Sequence, residues 1–243
     1  MELPHIAIPD LAANWVKVQE RIAQACHRAG RSPDSLTVIA VTKTHSPEVI
    51  SKAYALGIRH FGENRVQEAI EKYSTSDTFG QFPDSRLHLI GHLQRNKIRK
   101  ALQIFDYIDT VDTVELARLL DIEAGNRQKQ FRVLLEVNTS GEPQKFGAEP
   151  DSTLHLASMV LGCRNLRLSG LMTVGPNVDD TARVRESFRV LKKIFDDIGH
   201  RLKPEFWSVL SMGMSGDFEI AVEEGATELR LGTALFGSRI NAT

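Results

Sequence analysis

Lys43 stands at the end of an apolar stretch that is typical of a buried strand. The four residues 38–41, Val-Ile-Ala-Val, would be covered on both faces of a parallel sheet. A lysine at the tip of such a strand points into a partly dry cavity, where desolvation lowers its pKa. Because a neutral amine attacks aldehydes and ketones, the position predicts a Schiff-base lysine. The alternative is an ordinary solvated lysine in a loop.

Two later segments have the composition of an anion-binding site. Small residues separate a predicted strand from a predicted helix, with Met214 and Ser215 among them. Backbone N–H groups and the positive end of a helix dipole would meet there, beside a serine hydroxyl. Gly232 and Thr233 follow the next predicted strand and offer neighbouring groups. Together the segments predict a phosphate site, with simple helix capping by Ser215 or Asp217 as the alternative.

Arg230 precedes Gly232 by two residues, so both point to the same side of their strand. An arginine in a protein interior keeps its charge and needs a partner. That partner could be a carboxylate, Glu63 or Asp112, or a ring nitrogen of a ligand. A Schiff-base lysine, a cradle for a dianion and an arginine beside a heteroaromatic nitrogen together describe pyridoxal 5′-phosphate (PLP).

The elements that must position these residues alternate between strand and helix. Such alternation implies parallel strand pairing, because a helix must cross back over the sheet each time. We therefore expect a single α/β domain over residues 1–243, a (β/α)8 TIM barrel in which functional residues gather at the carboxyl ends of the strands. An open, doubly wound sheet is the alternative. The predicted strands lie within residues 37–43, 58–63, 87–91, 107–112, 131–139, 166–175, 206–214 and 228–237.

Two helices have the clearest apolar periodicity. An additional N-terminal helix is predicted over residues 11–29, where Asp10 can cap the start and a stripe of apolar residues recurs every three or four positions. The helix before the seventh predicted strand shows the same spacing. Its apolar residues are Val184, Phe188, Leu191, Phe195 and Ile198.

The composition excludes several classes of function. A net charge of −1 gives no reason to expect nucleic acid or a membrane surface as partner. Two distant cysteines fit a reducing cytoplasm, and no signal peptide or membrane span is visible. His88 and His92 have no carboxylate at ligand spacing, so we expect no metal site. No apolar stripe is left over, and we expect a monomer.

Six motifs closely resemble those of the pyridoxal phosphate homeostasis proteins, over about residues 11–240. The resemblance implies a fold like the barrel domain of alanine racemase. It also implies that PLP is the cofactor and that the protein serves intracellular PLP homeostasis. The motifs are VTKTHSPEVI, GIRHFGENRVQEA, LHLIGHLQRNKI, VNTSGEPQKFG, SGLMTVGP and LSMGMSGDFEIAVEEGATELRLGTALFG.

The resemblance also assigns the aldehyde and ring of the cofactor to particular residues. It implies that Lys43 forms the internal aldimine, that Arg230 faces the pyridine nitrogen and that Asn64 lines the site. Lys145 matches a loop lysine of the family and is a candidate for a secondary, transient PLP contact. One departure is His45 in TKTH, where the family more often has a second lysine.

The phosphate of the cofactor is assigned to the two small-residue segments. The resemblance implies that Ser215, with the backbone around Met214, holds the phosphate. Gly232 and Thr233 complete that site by the same comparison.

We expect a PLP carrier, buffer or regulator without catalytic residues, which could deliver PLP to PLP-dependent apo-enzymes. Racemisation needs a second base, and we expect no second domain to bring a tyrosine to the site. The tyrosines of this chain, Tyr54, Tyr73 and Tyr107, lie on predicted helices or at the wrong end of the barrel. The alternatives are an amino-acid racemase of low activity and a lyase or aldolase that uses Lys43 without cofactor.

Overall fold

Eight parallel strands form a closed barrel in the order of the sequence. The structure is a computed structural model that describes residues 10–74 and 82–237. The strands are β1 (Thr37–Val41), β2 (His60–Glu63), β3 (Arg86–Leu89), β4 (Tyr107–Val111), β5 (Phe131–Glu136), β6 (Leu166–Met172), β7 (Val209–Ser211) and β8 (Glu228–Leu231).

The pairing of the first strand with the last closes the barrel. The register of β1 against β8 runs from Thr37 opposite Glu228 to Ala40 opposite Leu231. An open sheet would leave both of these strands as edges, so the doubly wound alternative is wrong. The predicted (β/α)8 barrel is confirmed.

Helices surround the strands in the described part of the chain. None of them combines the length and hydropathy that crossing a membrane requires. Three short 3₁₀ turns, at Pro33–Ser35, Arg95–Lys97 and Pro150–Ser152, add to the following α-helices. These are α1 (Leu11–Arg28), α2 (Pro47–Ala55), α3 (Val66–Ser74), α4 (Ile98–Ile104), α5 (Val114–Asn126), α6 (Thr153–Leu161), α7 (Thr181–Leu202), α8 (Phe218–Glu223) and α9 (Thr233–Phe236).

The additional N-terminal helix, α1, packs against α8 and α9. Its start is capped as predicted, because Asp10 Oδ1 accepts a hydrogen bond from the Ala13 backbone N–H. Two ion pairs join its exposed side to α8, between Arg21 and Glu219 and between Arg28 and Glu223. The buried face that it turns inward includes Leu11, Val18, Ile22, Ala25 and Cys26.

Several strands end earlier than the sequence predicts. β1 stops at Val41, and Lys43 lies in a turn whose next residue, Thr44, has a φ of 66°. Ser46 occupies the N-cap position of α2, yet its side chain makes no capping hydrogen bond.

Candidate functional site

One cavity of about 660 Å³ opens at the carboxyl ends of the strands, and all of the predicted cofactor-binding residues line it. The topology brings them together from the ends of β1, β2, β7 and β8. The cavity size is ordinary for a site that holds a small molecule. The predicted residues on its wall are Lys43, Asn64, Met214, Ser215, Arg230, Gly232 and Thr233.

Lys43 is half-buried in the turn after β1, and both of its neighbours in sequence are held by carboxylates. Thr42 Oγ1 donates to Glu63 Oε1 at 2.7 Å, and the Thr44 N–H donates to Glu68 Oε1 at 2.5 Å. These bonds tie the turn to β2 and α3. The backbone that presents Lys43 to the cavity is therefore fixed on both sides.

Two backbone N–H groups and one hydroxyl converge at the far end of the cavity. Ser215 Oγ accepts hydrogen bonds from the backbone N–H groups of Gly232 and Ala234, at 3.1 and 3.0 Å. Thr233 begins the short helix α9 between them. A phosphate would find N–H donors and a hydroxyl at this point, so the residues present fit the anionic end of PLP.

The loop that carries Met214 and Ser215 is fixed by a close approach and by a buried carboxylate. Gly213 has a φ of 93°, and a Cβ there would lie 2.5 Å from the Ala221 side chain. The Met214 N–H donates to Asp217 Oδ1 at 2.5 Å. Burial raises the pKa of Asp217, and the hydrogen bond from Met214 opposes that rise.

Helix capping does not account for this loop. Asp217 stands at the N-cap position of α8, but its side chain makes no capping bond and holds Met214 instead. The Ser215 hydroxyl accepts its hydrogen bonds from the start of α9. Neither residue therefore caps α8, the helix that follows this loop.

Arg230 is buried, 4% exposed, and its guanidinium lines the same cavity. Its Nη1 donates to Ser211 Oγ at 2.7 Å, and its Nη2 donates to the Thr173 carbonyl at 2.6 Å. Burial lowers the pKa of this guanidinium from its ordinary value. Two short bonds to neutral groups therefore hold the side chain in one orientation.

The carboxylates that the sequence offered as partners of Arg230 lie elsewhere. Glu63 Oε1 forms an ion pair of 2.7 Å with Lys72 Nζ. Asp112 Oδ2 lies 3.6 Å from His92 Nδ1. The alternative that Glu63 or Asp112 binds Arg230 is therefore wrong, because each carboxylate lies next to another group.

Asn64 contributes a buried acceptor to the wall of the cavity. Its Oδ1 is buried and has no hydrogen-bond partner among the described residues. A Cβ at Gly91 would lie 2.3 Å from the Asn64 carbonyl oxygen, so a glycine is required where β3 ends. Since buried polar atoms are normally satisfied, the amide offers an acceptor to a ligand.

Glu136 is a site residue that sequence reasoning missed. It ends β5, is 7% exposed, and lines a second cavity of about 560 Å³ beside the first. Burial, and then the negative charge of Asp112, raise the pKa of Glu136 to about 7. The available signal was a carboxylate directly after the three apolar residues 133–135 of this strand.

His88 has carboxylate neighbours, contrary to expectation. Its Nδ1 lies 2.6 Å from Asp109 Oδ2, and possible ligand atoms of His88, Asp109 and Glu228 lie within 4.8 Å of one another. Arg132 Nη2 already supplies a positive charge there, 2.9 Å from Glu228 Oε2. Adjacent strands bring these side chains together, and sequence spacing cannot show it. The absence of a metal site stays a prediction.

The tyrosines lie away from the described lining of the cavity. Tyr54 donates to Asp84, and the Tyr73 hydroxyl lies 3.2 Å from Thr42 Oγ1. Tyr107 begins β4, at the amino end of the barrel. The lining therefore lacks a tyrosine that could serve as a second base opposite Lys43.

His45 and Lys145, which the sequence also singled out, lie at different distances from this cavity. His45 lines the cavity, and its ring lies 4.7 Å from that of Phe236. Lys145 does not belong to the described lining; its Nζ donates to the Gly175 carbonyl at 2.9 Å and pairs with Glu142. His45, the residue at which TKTH departs from the family, therefore lies in the predicted PLP cavity, and Lys145 does not belong to its described lining.

The chain is similar to known proteins over nearly its whole length. The family model described as "Alanine racemase, N-terminal domain" matches residues 9–240. A pyridoxal phosphate homeostasis protein of Aquifex aeolicus is 39% identical over 92% of this chain and 96% of its own. The protein of that name from Pseudomonas aeruginosa is 38% identical over 94% and 96%.

A solved structure extends the comparison to the fold. PipY of Synechococcus elongatus, solved with PLP bound, superimposes with a TM-score of 0.82. It is 35% identical in sequence, and the match covers 94% of this chain and all of PipY. These similarities extend over nearly the whole barrel, and the chain therefore belongs to the family of pyridoxal phosphate homeostasis proteins.

Proposed function

We propose that the protein binds PLP as an imine with Lys43 and acts in intracellular PLP homeostasis, as a carrier, buffer or regulator. One observation carries the proposal: a half-buried lysine and a group of N–H and hydroxyl donors line the same cavity. PipY, which is similar over nearly the full length, has been solved with PLP bound.

In this proposal each end of PLP meets a group of matching chemistry. Lys43 takes the aldehyde, as an amine in a partly dry cavity does. Ser215, the backbone at Met214, and Gly232 with Thr233 hold the phosphate dianion, which favours several converging donors. Asn64 lines the ring.

Arg230 is assigned to the pyridine nitrogen. A guanidinium there disfavours protonation of the ring, because two positive charges would be adjacent. An unprotonated ring withdraws electrons less strongly, which suits storage of the cofactor better than carbanion chemistry. The two short hydrogen bonds from Arg230 to Ser211 and Thr173 keep the guanidinium from turning away.

The same reasoning argues against efficient racemisation by this barrel. A racemase needs a base on each side of the substrate carbon, and the described lining of the cavity holds no tyrosine. We propose that any amino-acid chemistry is slow and incidental. Released PLP would pass to PLP-dependent apo-enzymes, and we place the protein in the cytoplasm as a monomer.

Absorbance spectroscopy tests the proposal. The protein purified away from unbound PLP should be yellow from the imine, and Lys43→Ala should abolish that band. Lys52→Ala is the matched control, since this exposed lysine on α2 lies outside the cavity and should leave the band unchanged. An unchanged band in Lys43→Ala would contradict the assignment.

The two alternative functions give different results in the same preparation. A racemase would interconvert alanine enantiomers at many turnovers per second. An aldolase would be colourless as isolated, and borohydride would trap it only with its sugar substrate present.

A further inference from the structure

A second cavity lies against the predicted PLP site and has no role in the proposed function. The two cavities share Asn64, Ile90 and Val174, so they meet at the carboxyl end of the barrel. Its volume of about 560 Å³ exceeds what a small metabolite needs. Glu136 lines it and does not line the first.

Glu136 is the unusual group of this cavity. The residue is buried, 7% exposed, and its Oε2 has no hydrogen-bond partner among the described residues. A buried carboxylate oxygen without a hydrogen-bond partner is costly, and a ligand that brings a positive charge and N–H donors would relieve that cost. Glu136 therefore marks a place for a cationic ligand group.

Two cations line the same cavity. Arg65 is exposed and Lys97 is half-buried, and neither forms an ion pair with another residue in the described ranges. They can bind a carboxylate, which the guanidinium of Arg65 recognises with two parallel hydrogen bonds. One cavity thus offers a buried negative charge and accessible positive charges.

We propose that this second cavity is a non-covalent subsite for a free α-amino acid, with its ammonium group at Glu136 and its carboxylate at Arg65 and Lys97. The role of this subsite rests on the proposed function, because it matters only if Lys43 holds PLP. An amino acid held there would lie beside the first cavity, which Lys43 lines. Once its ammonium group has given a proton to the Glu136 carboxylate, its amine could replace the Lys43 amine at the aldehyde carbon of PLP and release Lys43. The subsite would make retention of PLP sensitive to the supply of amino acids.

Calorimetric titration of the full chain freed of PLP tests the subsite, because no imine chemistry contributes heat. The probes are L-alanine, ethylamine and propionate, which are similar in size. Alanine carries both charges, ethylamine carries only the ammonium group, and propionate carries only the carboxylate. Alanine should bind at least about tenfold more tightly than either of the others, since each lacks one charge-assisted contact. Equal affinities for all of the probes, or no binding of alanine, would overturn the proposal.

Glu136→Gln should weaken alanine binding about tenfold or more and leave propionate binding unchanged. Glu149→Gln is the matched control, since that exposed carboxylate lies outside both cavities. Lys97→Ala tests the part of the subsite that is assigned to the ligand carboxylate, and it leaves the core unchanged. It should weaken the binding of both alanine and propionate. Unchanged alanine affinity in Glu136→Gln would contradict the assignment.

The pH dependence separates Glu136 from its neighbours. The charges of Asp112 and Arg230 act on Glu136, whose pKa is raised to about 7. The other charged or titratable groups that line its cavity are His92, Arg65 and Lys97. Because the carboxylate form binds an ammonium group, alanine affinity should rise between about pH 6 and about pH 8. The rise should vanish in Glu136→Gln; if it persists there, His92 or Asp112 is responsible and the inference fails.

The subsite and the PLP site fail separately. If the protein binds alanine but forms no yellow complex with PLP, only the proposed function is contradicted. If it forms the yellow complex but does not bind alanine, only the subsite is contradicted.

Discussion

Ser215 shows how single residues prepare this site for a phosphate. Its hydroxyl oxygen already aligns the N–H groups of Gly232 and Ala234 before any ligand is considered. A phosphate bound there would accept hydrogen bonds from these N–H groups and from the serine hydroxyl. The arrangement is preorganised, because Asp217 fixes the loop through Met214.

Removal of this hydroxyl should weaken PLP binding while the imine still forms. We expect Ser215→Ala to raise the dissociation constant about tenfold or more, the usual effect of losing one hydrogen bond to a charged group. Fluorescence or absorbance titration with PLP measures it. Ser208→Ala, an exposed serine just before β7, is the control. Equal affinity in Ser215→Ala would remove this residue from the phosphate site.

At this scale the sequence predicts which residues line the cavity better than it predicts their partners. Lys43, Ser215 and Arg230 were identifiable because each follows or ends a predicted strand. The hydrogen bonds of Arg230 to Ser211 and Thr173 were not, because they depend on the register of three neighbouring strands. Glu136 was not identified, because it follows a run of apolar residues that predicts only a buried strand.

At the scale of the elements, β6 and β7 approach more closely than most side chains allow. Gly170 pairs with Val209, and a Cβ at Gly170 would lie 1.7 Å from the Val209 carbonyl oxygen. A methyl group there must push the two strands apart. Since β7 carries Ser211, which holds Arg230, the contact also supports the site.

Gly170→Ala should therefore destabilise the barrel. We expect the free energy of unfolding to fall by about 1–3 kcal/mol or more, the range for overpacked positions. Urea unfolding followed by circular dichroism measures the change. Gly216→Ala is the control for stability, because a Cβ there meets no atom within 4 Å. An unchanged midpoint for Gly170→Ala would show that the strands adjust without cost.

The order of the elements followed from the sequence, and their ends did not. Alternating apolar strands and helices with Asp10 as a cap predicted the barrel and its additional helix. The predicted strand at 37–43 nevertheless ends at Val41, because hydrogen-bond pairing stops where the chain turns to present Lys43. Such a boundary depends on tertiary pairing and not on local propensity.

For the whole molecule, hydrogen bonds join the half-buried His60 to the buried His88 and Asp109 inside the barrel. His88 Nδ1 lies 2.6 Å from Asp109 Oδ2, and His60 Nδ1 lies 2.9 Å from His88 Nε2. If Asp109 is ionised, His88 donates to it from Nδ1 and accepts from His60 at Nε2. Burial, and then repulsion from His88, lower the pKa of His60 to about 4.

The lowered pKa of His60 makes stability depend on pH. Its unfolded value is 6.5, so between about pH 4 and 6.5 the unfolded chain binds more protons and stability falls as the pH falls. Glu136 acts in the opposite direction, because the pKa of its carboxyl is raised to about 7 and its stabilisation is lost as the pH rises. Only a comparison of variants separates the two effects.

His60→Asn, which keeps a donor near the Nδ1 position, should reduce the loss of stability between about pH 7 and about pH 4.5 by about 2 kcal/mol. Urea unfolding at both pH values measures it. His155→Asn is the control, since this histidine is exposed on α6. If the His60 variant loses as much stability on acidification as the unaltered protein, His60 is not the titrating group.

The central claim concerns one bond, between Lys43 and the aldehyde of PLP. Borohydride reduction of the protein with PLP, followed by peptide mapping by mass spectrometry, locates that bond directly. We predict one pyridoxyl group on the peptide that contains Lys43. A pyridoxyl group on another lysine instead, or no modified peptide from a protein that binds PLP, would contradict the account.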